Sequence, residues 1–153
     1  MDYMEIALEE AKKAFDLGEV PVGCVIVKDG AVIGRGHNLK ETLNDPSAHA
    51  EMMAIRDASK TTGNWRLNGC VIYITLEPCP MCASLITQAR ISQAVVAYPE
   101  YRSGAFGSKI DLTEDIYSHL SVSVTWDLRQ AAADLMDEFF RQARSKNDQG
   151  DQT

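Results

Sequence analysis

Apolar residues at Met4, Leu8, Ala11 and Phe15 recur at the spacing of one helical face, and Gly18 ends that helix. A β-branched run over 22–27, bounded by Pro21 and by Asp29-Gly30, predicts a strand; Asp-Gly then turns the chain into a partner strand over 31–34. Residues 47–59 read as a second helix, and 70–75 as an apolar strand that ends just before Glu77. Pro80 opens a short helix over 80–89, since proline suits a first turn. Runs at 95–98 and 122–126 predict two further strands, and the roughly twenty residues between them suit a parallel crossover better than a hairpin. Leu128, Ala132, Leu135 and Phe139 stripe a closing helix with Asp127 as its expected cap. From Ser145 the chain is polar, which predicts one domain over 1–145 and a disordered tail over 146–153. The order α-β-β-α-β-α-β-α-β-α predicts a three-layer α-β-α architecture, a five-stranded mixed sheet with helices on both faces.

Composition narrows the class. The 153 residues are 45% hydrophobic and 24% charged, an ordinary globular balance that excludes disordered and collagenous chains. No apolar run approaches the roughly 20 residues of a spanning helix, so no membrane association is expected. The N-terminus shows no basic region leading into an apolar stretch, so a cytoplasmic location is expected. In a reducing compartment, four cysteines point to metal or catalysis rather than disulfides. Fifteen basic against twenty-two acidic residues leave a net charge of −7, so a polyanion would have to be held by a local basic patch.

Chemistry concentrates in His49-Ala50-Glu51 and Pro78-Cys79-Pro80-Met81-Cys82. His49, Cys79 and Cys82 offer one imidazole and two thiolates, a donor set suited to Zn²⁺, and the cysteines sit at a helix start where the dipole favours thiolate. Two thiolates neutralise the ion and leave a fourth position for water, whose proton needs an acceptor. Glu51, two residues past the histidine, can be that shuttle without being a ligand. Three other readings stay open on these residues alone. A closed structural site would take a fourth ligand from Cys24, Cys70, His37 or His119, although Cys24 and Cys70 lie in strand patterns as small core residues. A redox pair would leave His-x-Glu unexplained. Glu51 could simply be an acid in a helix first turn.

His-x-Glu followed by Pro-Cys-x-x-Cys resembles the signature of the zinc-dependent cytidine/deoxycytidylate deaminase superfamily. Within it the chain most resembles the bacterial tRNA-specific adenosine deaminases. The likeness runs from about Met4 to Arg144 through Gly18-Glu19-Val20-Pro21-Val22-Gly23, Gly36-His37-Asn38, Asp45-Pro46-Ser47-Ala48-His49-Ala50-Glu51 and Gly63-Asn64-Trp65-Arg66-Leu67. It continues in Thr75-Leu76-Glu77-Pro78-Cys79-Pro80-Met81-Cys82, Gly104-Ala105-Phe106-Gly107-Ser108 and Phe139-Phe140-Arg141. The resemblance implies a cytidine-deaminase-like fold, a homodimer, and hydrolysis of adenosine to inosine at the wobble position of a tRNA anticodon loop. It implies zinc on His49, Cys79 and Cys82, and Glu51 as the residue that protonates the ring nitrogen and then the departing ammonia. It further implies Asn38 bonding the flipped base, the Ala50 backbone near the reacting amino group, Pro21 and Val22 walling the pocket, and Phe140 and Arg144 near the anticodon loop.

The chain also departs from the family pattern. The 95–104 segment is one residue shorter than the usual loop; Glu100 stands where an Asp touching the ribose is expected, and Arg102 where a Lys is expected. His119-Leu120 replaces an Asn-His pair, and only Arg141, Arg144 and Lys146 form a basic cluster on the last helix. Guanine deaminases share the two zinc segments. The alternative is therefore the same chemistry on a free nucleobase, nucleoside or related amino-heterocycle, which an acidic surface does not repel. A non-catalytic zinc- or RNA-binding module is the third reading, and Glu51 argues against it.

Overall fold

A computed structural model describes residues 1–115 and 119–150. Helix α1 (Tyr3–Asp16) leads into the hairpin β1 (Gly23–Lys28) and β2 (Ala31–His37). Asp29 and Gly30, with φ of 49° and 78°, make the tight turn that Asp-Gly predicts. A single helical turn α2 (Lys40–Leu43) precedes α3 (Ala50–Thr62), and β3 (Cys70–Ile74), α4 (Pro80–Gln88) and β4 (Gln93–Val96) follow. A two-stranded ribbon, β5 (Glu114–Asp115) and β6 (Leu120–Ser121), leads into β7 (Ser123–Trp126) and the closing helix α5 (Gln130–Gly150).

The main sheet has the order β2-β1-β3-β4-β7. β1 is antiparallel to both β2 and β3, whereas β3, β4 and β7 run parallel. This is the five-stranded mixed sheet of the expected fold class. Alternation along the strands builds its two layers. Cys24, Ile26, Ile72, Ile74, Ala94 and Val96 face a core shared with α3 and α4. Val25, Val27 and Ala97 face Met4, Ala7 and Leu8 of α1 and Ala132 of α5. At Gly36 a Cβ would lie 2.3 Å from the Ala50 carbonyl oxygen and 2.5 Å from the Ala54 nitrogen, so glycine is what lets β2 lie flat on α3.

Strand register brings one edge of the sheet together. Gly23 pairs with His37, Cys24 with Ile74, and Ile74 with Val96. The entry to β1, the exit of β2 and the exits of β3 and β4 therefore lie side by side, at the carboxyl ends of the parallel strands, where α/β sheets bind ligands.

Three expectations are corrected. The crossover between β4 and β7 contains no helix among its described residues; turns and the β5–β6 ribbon fill it, and residues 116–118 lie outside the description. Asp127 does not cap α5, which begins three residues later. Main-chain bonds from Asp127 to Val96 and from Arg129 to Ala97 hold that stretch extended, and Asp127 instead pairs with Arg129, which also reaches Asp2. Leu128 is consequently outside the stripe and 68% exposed. The last helix continues through Gly150 past the expected fraying point at Ser145, because extending a helix adds one bond per residue fixed; residues 151–153 lie outside the description. Among the described residues no helix is long and apolar enough to cross a membrane.

Candidate active site

Two helix N-termini converge at this edge. His49 immediately precedes α3 and Cys79 immediately precedes α4, each with extended backbone. Side chains at that position usually fold back to cap the helix, and neither does so here. Capping is done elsewhere: Asn38 Oδ1 accepts from the Ala50 N–H at 2.8 Å, and Pro80 has no N–H to satisfy. Both side chains are thereby free for one another. His49 Nδ1 lies 3.7 Å from Cys79 Sγ and 3.6 Å from Cys82 Sγ, and all three donor atoms fall within 4.8 Å of one another. Tetrahedral zinc, with bonds of about 2.3 Å to sulfur and about 2.0–2.1 Å to nitrogen, has an N···S edge of about 3.6 Å. The donor set fits that ion.

Among the described residues no other His, Cys, Asp or Glu joins the cluster, which suits a catalytic site with an open position. The candidates for a closing ligand are committed elsewhere. Cys24 and Cys70 are buried in β1 and β3. His37 Nδ1 is 2.8 Å from Glu10 Oε2, and His119 lies exposed in a turn. A hydrogen bond with Cys82 draws the Cys79 thiol down to about 4, against the effect of burial and with help from His49. The same pairing, with burial, pushes Cys82 up. One thiolate is thus in place at neutral pH, and the second proton leaves as a metal binds.

Glu51 sits in the first turn of α3, only 4% exposed, and lines a cavity of about 180 Å³ with His49, Cys79, Asn38 and Val22. Burial pushes its carboxyl up from the ordinary range, which suits a group that must carry a proton near pH 7. Asn38 also donates to the Val20 carbonyl at 3.1 Å, so one amide hydrogen and one lone pair remain for a ligand. Val20 shares the wall with Val22. Pro21 is buried and does not line the cavity: the Val22 N–H donates to the Val20 carbonyl at 2.8 Å, a tight turn centred on Pro21 that leaves Val20 and Val22 on the cavity wall.

Lys40, Leu76, Glu77, Glu100 and Ser103 complete the lining. Of these, Glu77 carries a signal that sequence reasoning passed over: an acid at the end of an apolar strand, one residue before Pro-Cys. The α2 turn that carries Lys40 is pinned by Glu19, whose carboxylate accepts from Glu41 N, Thr42 N and Thr42 Oγ1 at 3.1, 2.7 and 2.6 Å. Burial raises the Glu19 pKa, but these bonds outweigh it and the net shift is downward. A lowered carboxyl pKa contributes stability that is present above the unfolded value and lost as pH falls through the folded one. Chemical denaturation below about pH 4.5 should therefore show wild type losing stability more steeply than Glu19→Gln, with the two curves parallel at higher pH.

A second concavity, about 460 Å³, lies between the crossover and α5 and is lined by Arg102, Asp137, Phe140, Arg141 and Arg144. Glu100 lines both it and the smaller cavity. Lys146 does not join these arginines. It faces a cavity of about 530 Å³ with Phe15 and Asp16 at the end of α1, because two residues along a helix turn a side chain through about 200°.

Residues 1–98 match the cytidine and deoxycytidylate deaminase zinc-binding region. Over 145 residues the chain is 41% identical to the tRNA-specific adenosine deaminase of Bacillus subtilis (strain 168), spanning 94% of this chain and 90% of that protein. A solved structure from studies of A-to-I editing by tRNA:A34 deaminases at the wobble position of transfer RNA superposes with a TM-score of 0.83 at 40% identity. It covers 87% of this chain and 97% of that one. The guanine deaminase of Bacillus subtilis superposes with a TM-score of 0.61 at 42% identity, over 63% of this chain and 62% of that one.

Proposed function

This chain belongs to the cytidine and deoxycytidylate deaminase zinc-binding family, and from that footing we propose that it is a zinc-dependent aminohydrolase converting adenosine to inosine at the wobble position of a tRNA. It works as a cytoplasmic homodimer. The observation that carries the substrate is the adjacency of two concavities. The cavity at Glu51, about 180 Å³, is smaller than the roughly 300–1,000 Å³ of drug-sized pockets and takes a single base. Glu100 at its rim also lines the groove of Arg102, Phe140, Arg141 and Arg144, where the backbone and a neighbouring base of a single strand can lie.

His49, Cys79 and Cys82 hold the zinc, which when bound acidifies the attacking water. Glu51 takes one proton from that water and delivers it to the ring nitrogen beside the reacting carbon; it then takes the proton left on the added hydroxyl and passes it to the amino group, which departs as ammonia. Asn38 meets the base edge with its remaining amide hydrogen and lone pair. The Ala50 backbone borders the reacting amino group, and Val20 and Val22 supply an apolar wall.

The net charge of −7 favours one alternative, deamination of a free base or nucleoside. Ammonia release from an adenosine-wobble anticodon stem-loop, run beside free adenine, guanine, cytosine and their nucleosides, separates the two. Turnover of the stem-loop alone is expected; a free base consumed while the stem-loop stays intact would reassign the substrate. Replacing Arg102, Arg141 and Arg144 together by Gln should also flatten the dependence of log affinity on log salt by about 2, at about 0.7 per single-strand phosphate contact.

A further inference from the structure

The segment 99–108, which forms one rim of the active-site cavity, is wrapped around a single buried carboxylate. Glu77 is 2% exposed. Its Oε1 accepts from Glu100 N at 3.0 Å, and its Oε2 accepts from Phe106 N at 2.9 Å and Ser108 N at 3.1 Å. The main chain beside it is tied to the same segment: Glu77 N donates to the Tyr98 carbonyl at 2.8 Å, and Ala105 N to the Pro78 carbonyl at 2.9 Å. Gly104 passes so close that a Cβ would lie 2.4 Å from Glu77 Cδ and 2.3 Å from the Glu100 carbonyl oxygen. Backbone N–H groups taken from water need partners. Three of them, from a stretch without regular structure, find theirs in one side chain two residues from Cys79.

What this side chain holds is functional surface. Glu100 and Ser103 line the cavity, and Glu100 Oε1 in turn accepts from Arg102 N at 2.9 Å, which orients the start of the arginine groove. We infer that Glu77 is a positioning residue for substrate. It sets Glu100, Ser103 and Arg102 at a defined distance from Cys79, and so fixes the fit of the base and its flanking nucleotide without touching the reacting atoms. This role rests on the deaminase reading above for the identity of its substrate. The rim's attachment to Glu77 does not.

The test compares zinc-loaded wild type with Glu77→Gln and Gly104→Ala. Glutamine keeps the shape but offers one oxygen, so at least one of the three N–H groups faces an NH₂ group. Alanine strikes the same contact from the loop side with the carboxylate intact. Hydrogen exchange over 99–108 should rise about tenfold or more in both variants, the scale of losing one buried hydrogen bond, with α1 and the sheet unaffected. Zinc content should stay at the wild-type level, and KM should rise about tenfold while kcat changes little, the signature of lost uniform binding. Faster exchange with kcat and KM unchanged would overturn the inference, since the rim's order would then not serve substrate. Unaltered exchange in both variants would overturn it too, and loss of zinc in both would make Glu77 a support of the metal segment instead. Should Glu77→Gln fail to fold, Gly104→Ala carries the same readouts. If wild type leaves the stem-loop untouched and deaminates a free base, the substrate assignment fails; exchange and the KM–kcat split on that base still decide the role of Glu77.

Discussion

Glu51→Gln is expected to slow ammonia release by about 10²–10⁴-fold, the contribution of a positioned proton-transfer group, while the protein stays folded and zinc-loaded. The expectation follows from where Glu51 sits. It lines the cavity beside His49 and Cys79 but lies outside the set of three converging donors, so removing its charge takes away no ligand. Glutamine preserves volume at a buried position and removes the cost of burying a charge, so the thermal midpoint should hold or rise. Single-turnover rates with metal content measured on the same sample check this. Activity and zinc lost together would return Glu51 to a structural role.

Cys82→Ala should abolish turnover and lower stability at the same time. Cys82 is fully buried in the first turn of α4, and its sulfur lies 3.6 Å from His49 Nδ1. A metal that binds only the folded chain stabilises it by about 4.1 kcal/mol at a free concentration 1,000 times its Kd. Each kcal/mol moves the midpoint of a domain this size by roughly 2–4 °C, so the loss should be about 8–16 °C. Chelation of wild type should produce a similar drop, reversed by added zinc. A melting curve indifferent to chelator, with activity intact, would remove the metal from the mechanism.

Much of this is legible in the sequence alone. The helical spacing of Met4, Leu8 and Ala11 and the Asp29-Gly30 turn are local signals, and the helix and hairpin form where they indicate. His49, Cys79 and Cys82 were readable as a ligand set because Cys-x-x-Cys at a helix start puts two sulfurs on one turn. Asp127 misled because capping residues look alike wherever they stand; two main-chain bonds to the neighbouring strand end decided where α5 begins. The crossover misled for the opposite reason. Its order comes from Glu77, more than twenty positions away from the amides it binds, and no periodicity announces such a partnership.

The sequence by itself determined the elements, the faces they bury and the chemical kind of the site. Periodicity and short spacings are properties of a few consecutive residues, and backbone geometry converts them directly into a face or a turn. Only the tertiary structure decided which of those residues meet. His49 and Cys79, thirty positions apart, come within 3.7 Å because β1 pairs antiparallel with β2 and β3, which sets two helix starts at one sheet edge. The same packing gives Asn38 the cap of α3, leaving His49 free. It joins Arg102 to Arg144 while turning Lys146 away. Strand register sets these distances, and register is chosen by the burial of whole faces rather than by any one motif.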